Sequence, residues 1–505
     1  MTLAVVTVAV IAAALADFRW LRVAQREHYL PGTVTRFAIR WWMLGPNKLL
    51  ALAGVVGVAV SPISPFPALV GLVAVAIGPF RYPFRGTAPG PMAWTSRLRT
   101  VGALTAASQV VVIGAGALLG AGGPIAGLVA LTSPLVVDGA LALLRPWEDR
   151  KAGEFVDRAA ETLRRVAPTI VGITGSYGKT TTKVYAAHLI RPARTVVATP
   201  ASFNNRAGLS RAVNEHLVPG TDVFIAEMGT YGRGEIAELC AWCPPSIAAI
   251  TAIGPVHLER FGSEDAIVVA KSEILATADV AILNVDDPRL AALRPAGRVV
   301  GCSTIDPSAP VYAHVTGGRL VVTTGGEPLA DVADRGASPQ NVTVAVAIAL
   351  SLDVPRSTIA LGLADLPVVA NRRAEATLST GATAIDDTFN SNPAGCRAAL
   401  DALARLARPD HKRIVVTPGM VELGARQADE NTDFAEAAAA AATHVVLVGL
   451  TNRAALAAGV NRVPADARAQ ILLADTHARA VEWVRTNTGP DDVVLYENQL
   501  PDHYP

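Results

Sequence analysis

Three stretches near the start of this chain, residues 1–16, 49–80 and 100–137, contain no charged side chain. Nothing else in the sequence constrains the fold as strongly, because about 20 consecutive apolar residues suffice to cross a bilayer as a helix. The third stretch, extended to Leu144 past the single Asp138, has room for two spans around Ala121-Gly122-Gly123-Pro124. The second is interrupted by Ser61-Pro62-Ile63-Ser64-Pro65 and has room for two if Trp41 to Leu44 lengthen its start. Trp20, Trp41, Trp42, Trp94 and Trp147 lie near the ends of these stretches, where an aromatic belt belongs. Residues 17–48 carry six basic and two acidic groups, and residues 81–99 carry four basic and none acidic. The positive-inside rule puts both segments in the cytoplasm. The expectation is therefore a transmembrane region over 1–150 with five spans in the plasma membrane. Its N-terminus is outside and the remainder is cytoplasmic. A cleaved signal peptide fits less well: Ala14-Leu15-Ala16 resembles a cleavage site, but no basic segment precedes it. Asp138 either faces the bundle interior or a polar path, or sits near an interface.

Charge separates this block from the rest. Residues 1–150 hold 12 basic and 5 acidic groups, whereas 151–505 hold 32 and 38. The chain is 17% charged, against about 25% for an ordinary soluble protein. One uniform soluble globule is excluded, and the net charge of +1 excludes a nucleic-acid polycation. Four cysteines exclude a disulfide scaffold. Cys240 and Cys243 form a Cys-x-x-Cys without the second pair that zinc wants, so they read as reduced, structural residues.

From about residue 165, β-rich runs (169–174, 222–226, 247–251, 280–284) alternate with Ala-rich helical segments, the signature of a parallel α/β sheet. A second α/β rhythm begins near 366, with strands expected at 382–385, 413–417, 444–448 and 493–496. The first strand runs into Thr174-Gly175-Ser176-Tyr177-Gly178-Lys179-Thr180-Thr181-Thr182, and a helical pattern follows. Backbone N–H groups in such a loop converge on phosphate, and the helix N-terminus adds a favourable dipole. Lys179 neutralises the β- and γ-phosphates, and the Thr180 hydroxyl ligates Mg²⁺. The strict Walker spacing wants a glycine where Ile173 stands. Glu227, at the end of the strand Val223-Phe224-Ile225-Ala226, is placed to bind magnesium, its plain alternative being a surface carboxylate.

The loop with Ser176 and Lys183 resembles that of the Mur ligases, ATP-dependent amide ligases of peptidoglycan precursor synthesis, and most of all their D-alanyl-D-alanine-adding branch. Further motifs follow in family order over roughly 165–505; nothing in 1–150 resembles the family. The resemblance implies a P-loop ATP-binding central domain (151–365), with a mainly parallel sheet, and a Rossmann-like C-terminal domain (366–505). It implies ATP bound by Thr174, Gly175, Ser176, Tyr177, Gly178, Lys179, Thr180 and Thr181, and Mg²⁺ on Thr180 and Glu227. A second Mg²⁺ is implied on His257, within Gly254-Pro255-Val256-His257, and on Lys271, carbamylated by CO₂. The carbamate makes chemical sense, since it turns a cation that repels metal into an anionic oxygen ligand. Lys179, His257 and Lys271 are the implied catalytic residues.

Ser202-Phe203-Asn204-Asn205-Arg206 resembles the substrate loop, implying Asn204 and Asn205 as substrate contacts; an asparagine-rich turn is the alternative. Gly336-Ala337-Ser338-Pro339-Gln340-Asn341 resembles a helix start where Asn341 meets adenine, although Asn341 also reads as an ordinary helix cap. Asn371-Arg372-Arg373 aligns Arg373 with an arginine that reaches ATP phosphate. Asp386-Asp387-Thr388-Phe389-Asn390-Ser391-Asn392-Pro393 resembles the D-alanyl-D-alanine-adding signature. There Asp387 and Asn390 hold nucleotide oxygens, Asn392 meets substrate, and Phe389 replaces a tyrosine.

Three departures stand out. Pro418-Gly419-Met420-Val421-Glu422-Leu423-Gly424 lacks the aspartate of the motif it resembles. Residues 493–498 stand where a Lys-Gly-Ser element is expected. The membrane-like block replaces the domain that grips the uridine nucleotide. The implied reaction transfers the ATP γ-phosphate to a carboxylate, giving an acyl phosphate that an amine converts to an amide. The donor is a small-molecule or lipid-linked carboxylate, the acceptor an amino acid or dipeptide, and no nucleic acid is involved. Two rivals share these features: a membrane-anchored poly-γ-glutamate-synthase-like ligase, and a nucleotide-sensing membrane scaffold without ligase activity. Lys179, Glu227, His257 and Lys271 speak against the scaffold, since a sensor need not keep a second metal site.

Overall fold

Helices come first in the chain, as the charge-free stretches require. A computed structural model describes residues 2–44, 47–77, 92–201, 203–369, 374–389, 391–500 and 504. The basic segment 81–91 lies outside them. The N-terminal block comprises α1 (Thr2–Arg26), α2 (Thr33–Trp42), α3 (Asn47–Val60), α4 (Pro65–Ile77), α5 (Ser96–Leu118), α6 (Gly122–Leu131) and α7 (Ser133–Val166). Among the described residues, two helices, Leu3–Arg26 and Ser96–Leu118, are long and apolar enough to cross a membrane; the number rises to four if α2 with α3, and α6 with α7, each count as one bent span. The outer face of the block is apolar, with Ile11, Leu49, Leu52, Val110, Val111 and Leu118 all exposed.

Two buried carboxylates inside the block are paired. Asp17 accepts hydrogen bonds from Gln109 Nε2 (3.0 Å) and the Ser133 hydroxyl. Asp138 accepts from the backbone N–H groups of Val34 (3.3 Å) and Thr35 (2.7 Å). Those are orphan donors at the N-terminus of α2, where a carboxylate also opposes the helix dipole. Asp138 thus faces the bundle interior and fixes the start of α2.

The boundary expected at residue 150 is not a break in the backbone. α7 runs unbroken through it, with Pro146 inside the helix. The composition shift marks where the helix leaves apolar surroundings: Val137, Ala140 and Leu141 pack in the N-terminal block, whereas Ala159 and Leu163 pack with Leu209 and Val213 of the next.

A nine-stranded mixed sheet follows. It is built from β1 (Thr169–Thr174), β2 (Val196–Ala198), β3 (Val223–Glu227), β4 (Ile247–Ile250), β5 (Val280–Asn284), β6 (Arg298–Ser303), β7 (Val311–Thr316), β8 (Arg319–Thr324) and β9 (Glu327–Ala333). Their order is β2-β3-β1-β4-β5-β6-β7-β8-β9. Strands β2 to β7 pair in parallel, and β7-β8-β9 form an antiparallel meander. β1 and β3 are buried on both faces, hence their continuous apolar text. α8 (Lys179–Ile190) and the helix Pro339–Ser351 pack together on one face of the sheet. α9 (Arg206–His216) and the helix Glu235–Trp242 pack with α7 on the other.

The last unit is a six-stranded sheet of β10 (Ala374–Thr377), β11 (Thr383–Asp387), β12 (Arg413–Thr417), β13 (His444–Val448), β14 (Gln470–Ala474) and β15 (Val493–Glu497). Its order is β10-β11-β15-β12-β13-β14, parallel except for the β10 edge. The eight strands expected from the sequence all occur, within two residues at each end. All four cysteines are free and buried.

Candidate functional site

β1 ends at Thr174, and the chain turns through Gly175-Ser176-Tyr177-Gly178 into α8. Two glycines are required here. Gly175 has φ +152°, and a Cβ on it would lie 2.0 Å from Thr251 Oγ1; Gly178 has φ +78°, and its Cβ would meet Asn341 Oδ1 at 2.2 Å. Ser176 locks the loop to a neighbour: its hydroxyl donates to the Gly254 carbonyl and accepts from the Gly254 N–H, both at 3.1 Å. The half-buried Tyr177 side chain packs against Gly254, and burial of its hydroxyl raises the phenol pKa. Lys179 Nζ donates to the Gly175 carbonyl at 2.8 Å. Thr181 sits half-buried in the first turn of α8.

Glu227, at the end of β3, is the hub of the site. Its carboxylate accepts from Thr180 Oγ1 (3.0 Å), Lys183 Nζ (2.8 Å) and Asn204 Nδ2 (3.2 Å). Lys183 and Glu227 are 3% and 1% exposed, so this is a fully buried ion pair. Burial favours the neutral acid, but the charges of Lys183 and Lys179 outweigh it and hold the Glu227 carboxyl below its ordinary pKa. A carboxylate and a hydroxyl in contact beside a phosphate-type loop are hard oxygen donors that suit Mg²⁺.

Lys271 lies buried at the end of the helix Glu264–Ser272, and its Nζ donates to the same Gly175 carbonyl at 3.0 Å. Burial, and then the Lys179 charge, hold its amine well below the ordinary lysine range. His257 adopts a left-handed backbone (φ +57°), rare for a residue with a side chain. Its Nδ1 pairs with the carboxylate of Glu422, also left-handed at φ +64°. Burial pushes the Glu422 carboxyl up, but the His257 hydrogen bond and the charges of His257, Arg260 and His28 prevail and lower it. Among the described residues, no group of three His, Cys, Asp or Glu side chains is disposed to hold a metal.

A cavity of about 320 Å³ joins these groups. Lys179, Thr180, Asn204, Glu227, His257 and Lys271 line it together with Ser391, Asn392 and Glu422 from the C-terminal unit. The remaining expected residues divide. Asn205 caps α9 by accepting from the Gly208 N–H (2.9 Å), and Asn392 caps the helix Pro393–Leu406 by accepting from the Gly395 N–H (2.9 Å) while still lining the cavity. Asn341 contacts the phosphate-type loop, its Oδ1 accepting from Thr182 Oγ1 at 3.4 Å. Asp387 ends β11, in register with Glu497 of β15. Arg373 and Asn390 lie outside the described residues.

Several residues join the site without having been expected. Lys183 follows Lys179 by one helical turn, a spacing that put it on the Glu227 side. Tyr231 touches His257 edge-on at 4.7 Å between ring centroids, and Arg260 lies 4.6 Å over the Tyr231 ring. Arg26, Glu27 and His28, from the corner between α1 and α2, also line the cavity. Glu27 pairs with Arg260 (2.9 Å), Arg40 with Glu259, and His28 Nε2 with the Tyr231 hydroxyl (3.2 Å). No sequence signal links positions some 200 residues apart.

Residues 173–327 match the Mur ligase middle domain, and residues 372–496 match the Mur ligase, glutamate ligase domain. The UDP-N-acetylmuramoyl-tripeptide--D-alanyl-D-alanine ligase of Mycobacterium leprae (strain TN) is 36% identical over 263 residues, 47% of this chain and 51% of that protein. The chain thus spans about half the length of that relative. The ligase of the same description from Mycobacterium tuberculosis (strain CDC 1551 / Oshkosh) is 32% identical over 410 residues, 74% of this chain and 77% of that protein. The crystal structure of MurF ligase from Thermotoga maritima in complex with ADP is similar in fold, with a TM-score of 0.58 at 24% identity over 69% of this chain and 80% of that one.

Proposed function

The chain belongs to the Mur ligase family, and from that premise we propose that it is an ATP-dependent amide ligase of the D-alanyl-D-alanine-adding type, acting in peptidoglycan precursor synthesis. The observation that carries this reading is one cavity holding Lys179, Thr180, Glu227, His257 and Lys271 beside Ser391 and Asn392 of a second α/β unit. The loop at 174–181 acts as a P-loop and the C-terminal unit as a Rossmann-like lid. ADP in the Thermotoga maritima relative supports ATP as the nucleotide.

The chemistry asked of this chain is mostly positioning and electrostatics. A donor carboxylate oxygen attacks the γ-phosphorus and ADP leaves. The acceptor amine then attacks the acyl carbon, and phosphate departs. The loop N–H groups and Lys179 hold the negative charge of the transferring group. Thr180 and Glu227 are the ligands for Mg²⁺, which supplies Lewis-acid stabilisation of the phosphoryl oxygens when bound. Lys183 keeps Glu227 ionised, and Asn204 orients it. His257 and Lys271 are the candidates for a second Mg²⁺. As an amine Lys271 offers no anionic oxygen; burial and then the Lys179 charge hold its pKa well below the ordinary lysine range, a shift that favours reaction with CO₂ and supports the carbamate.

The N-terminal block reads as a plasma-membrane anchor, N-terminus outside and catalytic units in the cytoplasm. Its apolar exterior and the basic residues at 17–48 support that placement. Lys179→Ala is expected to abolish ADP formation from ATP, a UDP-N-acetylmuramoyl-tripeptide or lipid-linked donor and D-alanyl-D-alanine, while membrane insertion stays unchanged. Ligation by that variant at near the parental rate overturns the ATP assignment.

A further inference from the structure

His257 has little local support. It opens the four-residue helix Leu258–Phe261, whose Arg260 and Phe261 N–H groups bond to the His257 carbonyl. A helix of about one turn is not stable by itself, and none of its residues is fully buried. Its flanks hold it instead. Glu259 pairs with Arg40 of α2, and Arg260 pairs with Glu27, just past α1, at 2.9 Å. The Glu27–Arg260 pair is enclosed, its side chains 12% and 14% exposed. The Glu259 N–H also reaches the Glu422 carbonyl at 3.4 Å.

The imidazole is held as well. Glu422 of the C-terminal unit pairs with Nδ1, and Tyr231 meets the ring edge-on at 4.7 Å between centroids. Tyr231 is itself placed by the N-terminal block. Its hydroxyl pairs with His28 Nε2 at 3.2 Å, and the Arg260 guanidinium that Glu27 holds lies 4.6 Å over its ring. His28, Tyr29, His257 and Glu422 all take left-handed backbones, with φ from +57° to +64°. Non-glycine residues keep that conformation only where the surrounding structure imposes it, and they cluster at functional sites. Here they gather where three units meet around one histidine.

We propose that His28 is a positioning residue for His257, acting through Tyr231, so that the N-terminal block completes the catalytic site. The inference rests on the ligase reading above and adds a residue to its machinery. A reacting constellation works only when its groups are held to within about 0.5 Å by neighbours that are themselves locked. His28 fixes the free end of the tyrosine, Arg260 covers its face, and the ring edge then limits where the imidazole can turn. With Glu422 on Nδ1, the imidazole has one setting, imposed by residues from both flanking units. The corner residues Glu27 and His28 line the cavity beside it.

The test uses the full chain in phosphatidylcholine vesicles with ATP, Mg²⁺, a UDP-N-acetylmuramoyl-tripeptide and D-alanyl-D-alanine. Tyr231→Phe keeps the ring and deletes only the hydroxyl; His28→Ala removes its partner. Each is expected to lower kcat about fivefold to tenfold while the KM for ATP stays unchanged. The double variant is expected to fall no further than the weaker single one, because both changes break the same link. His28→Gln, whose amide still reaches the hydroxyl, is expected to recover most of the loss. A second readout needs neither nucleotide nor metal: diethyl pyrocarbonate is expected to modify His257 severalfold faster in Tyr231→Phe, as read by mass spectrometry of its peptide. Unchanged kcat in both single variants, losses that multiply in the double variant, or modification of His257 at the parental rate overturns the proposal and leaves the ligase reading standing. A rise in the KM for ATP that matches the loss of kcat also overturns it, since the substitutions then act on the whole fold. A parental chain that forms no product overturns both.

Discussion

Two lysine amines converge on the Gly175 carbonyl, Lys179 at 2.8 Å and Lys271 at 3.0 Å. Burial, and then the nearby Lys179 charge, hold the Lys271 amine well below the ordinary lysine range. A lowered amine pKa is the condition the proposed carbamate would need, and the motif alone offered only family likeness. If a carbamate oxygen is needed, Lys271→Ala leaves a gap that a small carboxylate can enter. Activity of Lys271→Ala is expected to fall at least a hundredfold and to recover in part with millimolar acetate; Lys271→Arg, still cationic and filling the space, is expected to stay inactive. An active Lys271→Arg together with no response to acetate contradicts the carbamate. At this scale Lys179, Thr180 and Glu227 were legible from strand–loop–helix spacing and a strand end, whereas Lys271, on the helix Glu264–Ser272, came only from the family resemblance. Asn205 was less so. An asparagine before a helix serves equally as cap or as ligand: Asn205 and Asn392 both accept a cap bond at 2.9 Å, and of the two Asn392 lines the cavity.

Among the elements, α3 and α4 qualify the expected five spans. They have 14 and 13 residues, or about 20 Å each at 1.5 Å per residue, short of the roughly 30 Å hydrocarbon core. They pack closely: Gly54 and Gly57 are buried, and a Cβ on Gly71 would meet the Ala53 carbonyl oxygen at 2.2 Å. Small residues at such a contact let apolar helices approach without hydrophobic drive. A hairpin that enters and returns keeps the same parity as two crossings, so the topology inferred from loop charge is unaffected. A cysteine replacing Gly120, in the turn between α5 and α6, is expected to react with impermeant thiol reagents in intact cells. One replacing Ile63, between α3 and α4, is expected to resist. Equal labelling of both indicates two full crossings, and labelling of neither contradicts the orientation. Loop charge and apolar length could reveal that helices exist in this block. They could not reveal the bend between α6 and α7, or that α7 carries one helix past residue 150, since neither leaves a mark in periodicity.

The molecule as a whole is held together by contacts of long sequence separation. Glu27 with Arg260 and Arg40 with Glu259 join the N-terminal block to the central sheet. His257 with Glu422 and Arg426 with Glu264 join that sheet to the C-terminal unit. The positions of eight strands and their parallel α/β character followed from local text, but the strand order and these junctions did not. A Glu27 or a Glu422 looks like any surface acid until the fold sets an arginine or histidine opposite it. Together the junctions gather one cavity, in which ATP is to activate a carboxylate and an amine to capture it. Oxygen transfer tests that chemistry most directly. With a donor whose carboxylate carries ¹⁸O in both oxygens, the carboxylate oxygen that attacks the γ-phosphorus stays with phosphate when the amine displaces it. An acyl phosphate route predicts inorganic phosphate bearing one ¹⁸O per amide formed. Phosphate free of label, with ADP released whether or not an amine acceptor is present, would contradict it.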